Sequence, residues 1–449
     1  TRAASRRSLS AVQVPCDLGA RLRPNNEAWR PRTGASPMKL RWLTVSLSAG
    51  AAIKGMPFVA LLIYAAVVGP DEFAQVSMLA LASAWLMLLA SGGMEFATTY
   101  EERRRLADRP PISLIPAWYA ATPIALCFSV LFVGFALAVG FPIGPWLVMT
   151  GCALVVGLIQ PALLGRARMR RNEQWLLVYV VAPFTLGLVV RLVALAVGIP
   201  AGYNPLWLWV AGDAAQALLL VVLISPRLRH LRLEVPRLRV LREGWATLEK
   251  SLPWMGTAGL QSALANVDKF VLYPIVSAEL FGLYSLAYQL ANIANILASE
   301  YNKARLSHWV SQAVEGRTAG FVRESLHFAA AMAVGAIVAL GIALFYRDSF
   351  PGIIGVCAAL LVALTPVALY IPVENRIAIL NGRTMPLLWA TGVGVVASLV
   401  VLFALVTSLG IFAGVIATFV GYAVTTACLV PVARSDRPRS RSLEEELNV

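Results

Sequence analysis

The sequence predicts an all-α integral membrane protein with twelve transmembrane helices in two six-helix halves. Hydrophobic residues make up 58% of the 449 positions and charged residues only 14%, and the mean hydropathy is +0.71. A soluble domain carries about twice that charged fraction. The apolar residues fall in recurrent runs of about 20 residues, the length that an α-helix needs to cross a bilayer.

Twelve such runs follow one another along the chain. We predict the spans at residues 43–69, 74–94, 112–140, 143–165, 175–198, 206–224, 251–277, 279–300, 321–345, 352–372, 386–409 and 411–432. The arginine-rich segment 225–250 separates the first six spans from the last six. A shift of 208 residues places Val68, Phe73 and Ser77 on Val276, Phe281 and Ser285, which is a weak internal repeat.

The predicted domains follow from this division. Residues 38–224 form an N-terminal six-helix bundle, 225–250 a basic cytoplasmic linker, 251–433 a C-terminal six-helix bundle and 434–449 a cytoplasmic tail. The first 37 residues are polar and rich in proline and arginine, and they precede Met38. We interpret them as a non-native or disordered leader, because they contain no run that can pack in lipid.

The distribution of the basic residues explains the net charge of +14 without a nucleic-acid partner. They concentrate in the loops after the even-numbered spans, whereas Arg347 is the basic residue of the short loops after the odd-numbered spans. By the positive-inside rule, both termini are cytoplasmic. The linker also has the composition of a segment that lies on the anionic inner leaflet, although a plain solvated linker explains it equally well.

Charges within the spans are the strongest functional signal, because each is costly in hydrocarbon and should face a partner or a wet cavity. They are Lys54, Arg191, Asp213, Asp268 and Lys269. One interpretation is a cation-lined cavity for an anionic group, with a carboxylate that binds a coupling cation. The other is a set of structural ion pairs. Asp268 and Lys269 project about 100° apart on a helix, so at most one of them points squarely into a given cavity.

Arg191 and Asp213 lie at one predicted depth. Each is seven residues from the short turn that joins spans five and six. At 1.5 Å per residue, both lie about 10 Å below the surface of the apolar core. We therefore predict a buried ion pair between them, or a polar cavity that they share.

Span eight carries a polar stripe. Its members are spaced 3, 4, 3 and 4 residues apart, which places them on one face of a helix: Ser285, Tyr288, Asn292, Asn295 and Ser299. Polar faces on membrane helices point inward, so the stripe predicts a polar surface between helices. Hydrogen bonds that join neighbouring helices are the structural alternative.

Catalytic chemistry finds no support in the sequence. It contains no Walker A loop and no serine–histidine–acid arrangement on one side of the membrane. His230, His308 and His327 lie in or beside loops without metal-ligand spacing, and the five cysteines are scattered. We therefore predict no enzymatic activity, no cofactor and no metal.

The segment VDKFVLYPIVSAELFGLYSLAYQLANI resembles the signature of the polysaccharide transporter family, which contains the Wzx-type O-antigen and capsule flippases of the MOP superfamily. In that family an Asp–Lys or Asp–Arg pair in span seven precedes an outer turn, a Gly-x-Tyr and a polar eighth span. Asp268–Lys269, Gly282, Tyr284 and Asn292 occupy these positions here. The segment VVGPDEFAQVSMLALASAW also resembles the first outer turn of the family, although Ala74–Gln75 replaces a common Gly–Tyr pair.

The resemblance implies a MATE-like fold of two six-helix bundles around a central cavity. The implied substrate is a polyprenyl-pyrophosphate-linked oligosaccharide, moved from the inner to the outer leaflet of the bacterial inner membrane for O-antigen, capsule or exopolysaccharide synthesis. A polysaccharide polymerase and glycosyltransferases are the implied partners. Substrate-binding roles are expected for Lys54, Lys269, Arg191, Asn292 and Asn295, and coupling-ion roles for Asp268 and Asp213.

Two alternatives stay open. A MATE-type cation-coupled exporter of drugs or metabolites is the first, although acidic residues should dominate a pocket for cationic drugs. A membrane scaffold that recruits glycan-assembly enzymes through residues 225–250 and the tail is the second. Such a scaffold should tolerate neutral residues at Lys54 and Asp268.

Overall fold

The computed structural model describes residues 40–91, 114–169, 173–228, 238–314, 321–377 and 384–435. Within these ranges the chain is helical apart from short turns, and it contains no β-strand. The predicted leader 1–37, residues 229–237 of the predicted linker and the tail from residue 436 lie outside the described residues.

Twelve helical segments are present in the described ranges, as the sequence predicts. We label them α1 Leu40–Val67, α2 Pro70–Ala90, α3 Leu114–Val139, α4 Ile143–Met169, α5 Glu173–Gly198, α6 Pro205–Leu228, α7 Leu238–Leu272, α8 Ala278–Val314, α9 Phe321–Phe345, α10 Ile353–Asn375, α11 Met385–Leu409 and α12 Ile411–Ser435. The predicted fold class of an all-α membrane protein is confirmed.

Ten of these segments are long and apolar enough to cross a bilayer. The apolar part of α1 whose side chains are described is shorter, Gly55–Val67. Helix α7 is long enough but too polar to be counted among them. Its 35 residues include Asp268 and Lys269 near one end and Glu249 and Lys250 near the middle. It is shielded by packing against α3, α11 and α12.

Two helices are longer than hydropathy indicates. Helix α8 continues to Val314, beyond the predicted end at residue 300, and α7 begins at Leu238, inside the predicted linker. The added segments are rich in charged and polar residues. Hydropathy detects the part of a helix that lies in lipid, whereas backbone hydrogen bonding continues beyond the apolar layer.

Prolines explain the two internal irregularities. Helix α10 is interrupted at residues 364–366 and resumes after Pro366. Helix α5 contains a π-helical turn at Leu177–Val181, just before Pro183. Because Pro183 has no N–H, it cannot bond to the carbonyl of Tyr179 four residues earlier. Gln160 of α4 donates to that carbonyl instead, at 3.4 Å.

The two halves meet mainly through α2 with α8 and α3 with α7. Much of this contact lies at the end of the bundle with the short turns at residues 68–69, 140–142, 199–204, 273–277, 346–352 and 410, which we call the short-turn end. There Phe141 stacks on Tyr273 with ring centroids 4.7 Å apart, and Tyr346 donates to the carbonyl of Leu62 at 2.7 Å. Aromatic side chains of both halves therefore meet at this end.

A buried ion pair joins α5 to α6. Arg191 Nη2 donates to Asp213 Oδ1, which confirms the predicted pair. The two helices approach closely at Gly187 and Gly212. A Cβ added to Gly212 would lie 2.6 Å from the carbonyl oxygen of Gly187 and 2.8 Å from Arg191 Nε, so glycine is what lets the arginine side chain cross α6.

The helix order predicts the topology of two insertion sites. A reporter inserted between residues 229 and 237 should lie on the opposite side of the membrane from one inserted at Ala201–Gly202, because one transmembrane helix, α6, separates them. Paired phosphatase and fluorescent-protein fusions measure this directly. The same side for both reporters would contradict the twelve-helix topology.

The ion pair predicts a specific pattern of stability. We expect Arg191→Ala and Asp213→Ala each to lower the thermal unfolding midpoint in detergent, because each leaves a buried charge without its partner, at a cost of about 3 to 5 kcal/mol. The double substitution should recover part of the loss.

The chain supplies a matched control for this experiment. Arg347 and Asp348 also form an ion pair, but their side chains are 66% and 88% exposed. Removal of an exposed pair costs about 1 kcal/mol or less. Equal midpoints for Arg191→Ala and Arg347→Ala would show that the buried pair does not stabilise the fold.

Candidate functional site

A cavity of about 610 Å³ lies between the two halves. Helices α1, α2, α4, α5 and α6 line it from the N-terminal half, and α7 and α8 line it from the C-terminal half. Much of its polar lining consists of amides and serine hydroxyls. The amides are Gln160, Gln216, Asn266, Gln289, Asn292 and Asn295, and the serines are Ser77, Ser83, Ser91, Ser285 and Ser299.

The polar stripe of α8 faces this cavity. All five of its members line the wall, as the 3, 4, 3, 4 spacing predicts. Asn295 Nδ2 donates to Asn292 Oδ1 at 3.1 Å, so these two amides lie side by side. The residues between the stripe members, such as Leu286 and Leu290, are buried in the core. One helix therefore supplies both a packed face and a polar wall.

Lys269 and Asp268 occupy different sides of the wall. Lys269 lines the cavity, whereas Asp268 lies behind it and accepts a hydrogen bond from Tyr284. Lys269 Nζ lies 3.3 Å from Asp268 Oδ1 and 3.0 Å from the ring centroid of Tyr288. The expected divergence of neighbouring helix positions is confirmed. The carboxylate balances the lysine charge from behind the wall, and the ammonium also donates to the carbonyl of Ala265 at 2.9 Å.

The opposite wall carries Arg191 and Asp213. Both line the cavity together with Gln216, one turn further along α6. The guanidinium carbon of Arg191 lies 4.4 Å above the ring of Trp209. This cation–π contact and the ion pair hold the side chain across α6. The structure thus brings five of the seven predicted site residues to one cavity: Lys269, Arg191, Asp213, Asn292 and Asn295.

The remaining two predicted residues lie elsewhere. Asp268 contacts Lys269 but not the cavity. Lys54 belongs to α1, but its side chain lies outside the described part of the structure. Its neighbours Ile53, Pro57 and Phe58 line the cavity. The substrate-binding role of Lys54 stays a prediction.

Several site residues were not predicted from the sequence. Gln160 is an isolated amide in an apolar run, and no periodic pattern marks it. Gln216 had a usable signal, because it follows Asp213 by three residues and so shares its face of α6. Asn266 precedes Lys269 by three residues and Gln289 follows Ser285 by four, so the same signal was available for both. A charged residue within a span, with polar residues three or four positions away, predicts a polar cavity wall of this kind.

A second polar cluster in the C-terminal half also escaped prediction. Gln261 Nε2 of α7 donates to Tyr370 OH and Glu374 Oε1 of α10, at 2.6 Å in each case. Span ten was predicted to end at residue 372, which left Glu374 at the interface. Helix α10 continues to Asn375, so the carboxylate lies inside the bundle.

Comparison with known proteins finds relatives by structure only. No protein-family model and no curated protein sequence matches the chain. An inward-facing multidrug resistance MATE family transporter of the MOP superfamily superposes with a TM-score of 0.59 over 90% of this chain and 99% of that one, at 14% identity. A point mutant of a MATE protein gives a TM-score of 0.54 over 90% of this chain and 96% of that one, at 15% identity. A MATE structure in a straight conformation gives 0.51, with the same coverage and identity.

These similarities extend over nearly the whole length of both chains, while the sequences agree at about one position in seven. Such agreement establishes the arrangement of the helices. The chain therefore has the fold of MATE transporters of the MOP superfamily.

Proposed function

We propose that this protein is a flippase for a polyprenyl-pyrophosphate-linked oligosaccharide. The supporting observation is the polar part of the cavity wall, in which amides and hydroxyls outnumber charged side chains. An amide or a hydroxyl both donates and accepts hydrogen bonds, as does each hydroxyl of a sugar. A wall of this kind replaces the hydration of a glycan while the lipid tail stays in the bilayer.

The pyrophosphate is assigned to Lys269. Lys269 lines the cavity, while its counter-charge, Asp268, lies behind the wall. In a site of lowered dielectric, a charge-assisted hydrogen bond to phosphate is worth about 1.5 to 3 kcal/mol. Lys54 is proposed as the second cation. Arg191 adds no net charge to the wall, because its partner Asp213 lines the cavity beside it, whereas Asp268, the partner of Lys269, does not line the cavity.

Transport is proposed to follow alternating access, with rocking of the two halves about the cavity. In the structure, aromatic side chains of the two halves are in contact at the short-turn end. We assign this end to the outer face of the bacterial inner membrane, because the loops that carry the basic clusters lie at the other end. Coupling to a cation gradient through Asp268 or Asp213 requires that cation to compete with Lys269 or Arg191.

A MATE-type exporter is the second candidate, and the fold favours it. One structural neighbour is described as a multidrug resistance transporter. A pocket for cationic drugs needs carboxylates that are free to attract them. Among the described lining residues the acidic side chain is Asp213, and Arg191 is paired with it. The described walls therefore suit a neutral or anionic ligand better.

A substitution that removes the charge of Lys269 tests the main proposal. We expect Lys269→Met to lower the initial rate at which proteoliposomes flip polyprenyl-pyrophosphate-linked oligosaccharide by about 10-fold or more, because it removes the cation that faces the pyrophosphate. Lys269→Arg should retain a substantial part of the rate. Flipping is measured by the accessibility of the glycan to an external lectin.

The matched control is Arg347→Met, which removes an exposed cation far from the cavity and should leave the rate unchanged. An initial flipping rate in the Lys269→Met variant equal to that of the wild-type protein would contradict the role assigned to the lysine. Transport of a cationic dye, with no flipping of the lipid by the wild-type protein, would favour the exporter.

The scaffold alternative makes an opposite prediction in cells. As a flippase, the protein should lose export of the surface glycan with either Lys54→Ala or Asp268→Ala, at unchanged membrane levels of the variant. Immunoblotting of the glycan and of the protein measures both quantities. Normal surface glycan in both variants would favour a scaffold.

A further inference from the structure

We infer that Arg191, Asp213 and Gln216 form a subsite for sugar hydroxyl groups in the N-terminal wall of the cavity. The inference rests on the proposed function and deepens it, since it separates glycan recognition from pyrophosphate recognition. It assigns the glycan to the N-terminal half and the pyrophosphate to Lys269 of the C-terminal half.

The first support is an excess of unused hydrogen-bonding groups. Arg191, Asp213 and Gln216 are 2%, 8% and 3% exposed, yet all three line the cavity. Their ion pair uses Arg191 Nη2 and Asp213 Oδ1. Arg191 Nε and Nη1, Asp213 Oδ2 and Gln216 Nε2 have no hydrogen-bond partner among the described residues.

These unused groups are costly for a purely structural pair. A buried polar atom without a partner destabilises a fold by about 1 to 3 kcal/mol. A pair that only joined α5 to α6 would be expected to satisfy its own donors and acceptors. Four such atoms on residues that line one cavity indicate a ligand that completes them.

The second support is the electrostatic character of the site. It offers donors from Arg191 and Gln216 and an acceptor from Asp213, with opposite charges that cancel. An anion approaching the free donors meets the carboxylate, and a cation approaching the carboxylate meets the guanidinium. A neutral hydroxyl accepts from the guanidinium or the amide and donates to the carboxylate at the same time.

The third support is the local geometry of the two helices. Gly187 lies beneath both Arg191 and Gln216. A Cβ added there would lie 3.5 Å from Arg191 Nη1 and 3.5 Å from the Gln216 Cβ. The guanidinium and the base of the Gln216 side chain therefore both lie next to Gly187, on the same part of the wall. Hydrogen-bonding side chains that share one part of the wall suit the vicinal hydroxyls of a pyranose.

The position of the subsite fits a glycan attached to a pyrophosphate. Arg191 is two turns from the short-turn end of α5, and Lys269 is one turn from the same end of α7. Both therefore lie toward the short-turn end, on opposite halves. A carrier with its pyrophosphate at Lys269 presents the adjoining sugar to the N-terminal wall.

Two lipid probes test the inference with the full-length purified protein. The first is bare polyprenyl pyrophosphate, and the second is the same lipid carrying a disaccharide. We expect the wild-type protein to bind the glycosylated lipid about 10-fold more tightly than the bare one. Gln216→Leu and Arg191→Lys should each reduce this ratio towards one, because each lowers the affinity for the glycosylated lipid more than the affinity for the bare lipid.

The variants are chosen to keep the fold. Gln216 takes no part in the ion pair, and Arg191→Lys keeps the charge opposite Asp213 while it removes the unused guanidinium donors. Gln75→Leu is the matched control, since Gln75 of α2 is a partly buried amide that does not line the cavity. Thermal unfolding midpoints confirm that each variant is folded.

The outcomes separate the inference from the proposed function. An unchanged ratio in both variants, or equal binding of the two lipids by the wild-type protein, overturns the subsite and leaves the flippase in place. No binding of either lipid by the wild-type protein overturns the proposed function together with the subsite. A ratio that falls in Gln216→Leu and Arg191→Lys but not in Gln75→Leu supports the subsite.

Discussion

The cost of a charge in hydrocarbon governs the interior of this protein. An isolated charged side chain near the middle of a bilayer costs several kcal/mol, so each one needs a counter-charge or water. Arg191 is paired with Asp213 and Lys269 with Asp268. Three of these four side chains also face the cavity between the halves. Helices α5, α6 and α7, which carry these two pairs, also enclose the polar space.

The same constraint explains why part of the site was predictable. Because α5 and α6 share a short turn, equal distances from that turn place Arg191 and Asp213 at one depth. The stripe of α8 was predictable because a regular helix fixes which residues share a face. Both predictions depend on geometry within one helix or between two consecutive helices.

Other parts of the site depend on contacts between distant helices, which no local pattern reports. Gln261 meets Glu374 across more than one hundred residues, and Glu374 lies just beyond the apolar run that marked its span. Gln160 of α4 donates a hydrogen bond to the carbonyl of Tyr179 on α5, to which Pro183 cannot donate. Hydropathy also underestimated the length of α8, because the segment that extends this helix to Val314 is polar.

The pairing of charges also bears on how a ligand leaves the cavity. An unpaired charge in a dry cavity would hold an opposite charge too tightly for turnover. In the described walls both cations are balanced by carboxylates, and the remaining polar groups are mainly amides and hydroxyls. Each neutral hydrogen bond contributes only about 0.5 to 1.5 kcal/mol, since water replaces it when the ligand departs. Recognition through many weak and replaceable contacts allows a large hydroxylated ligand to be both selected and released.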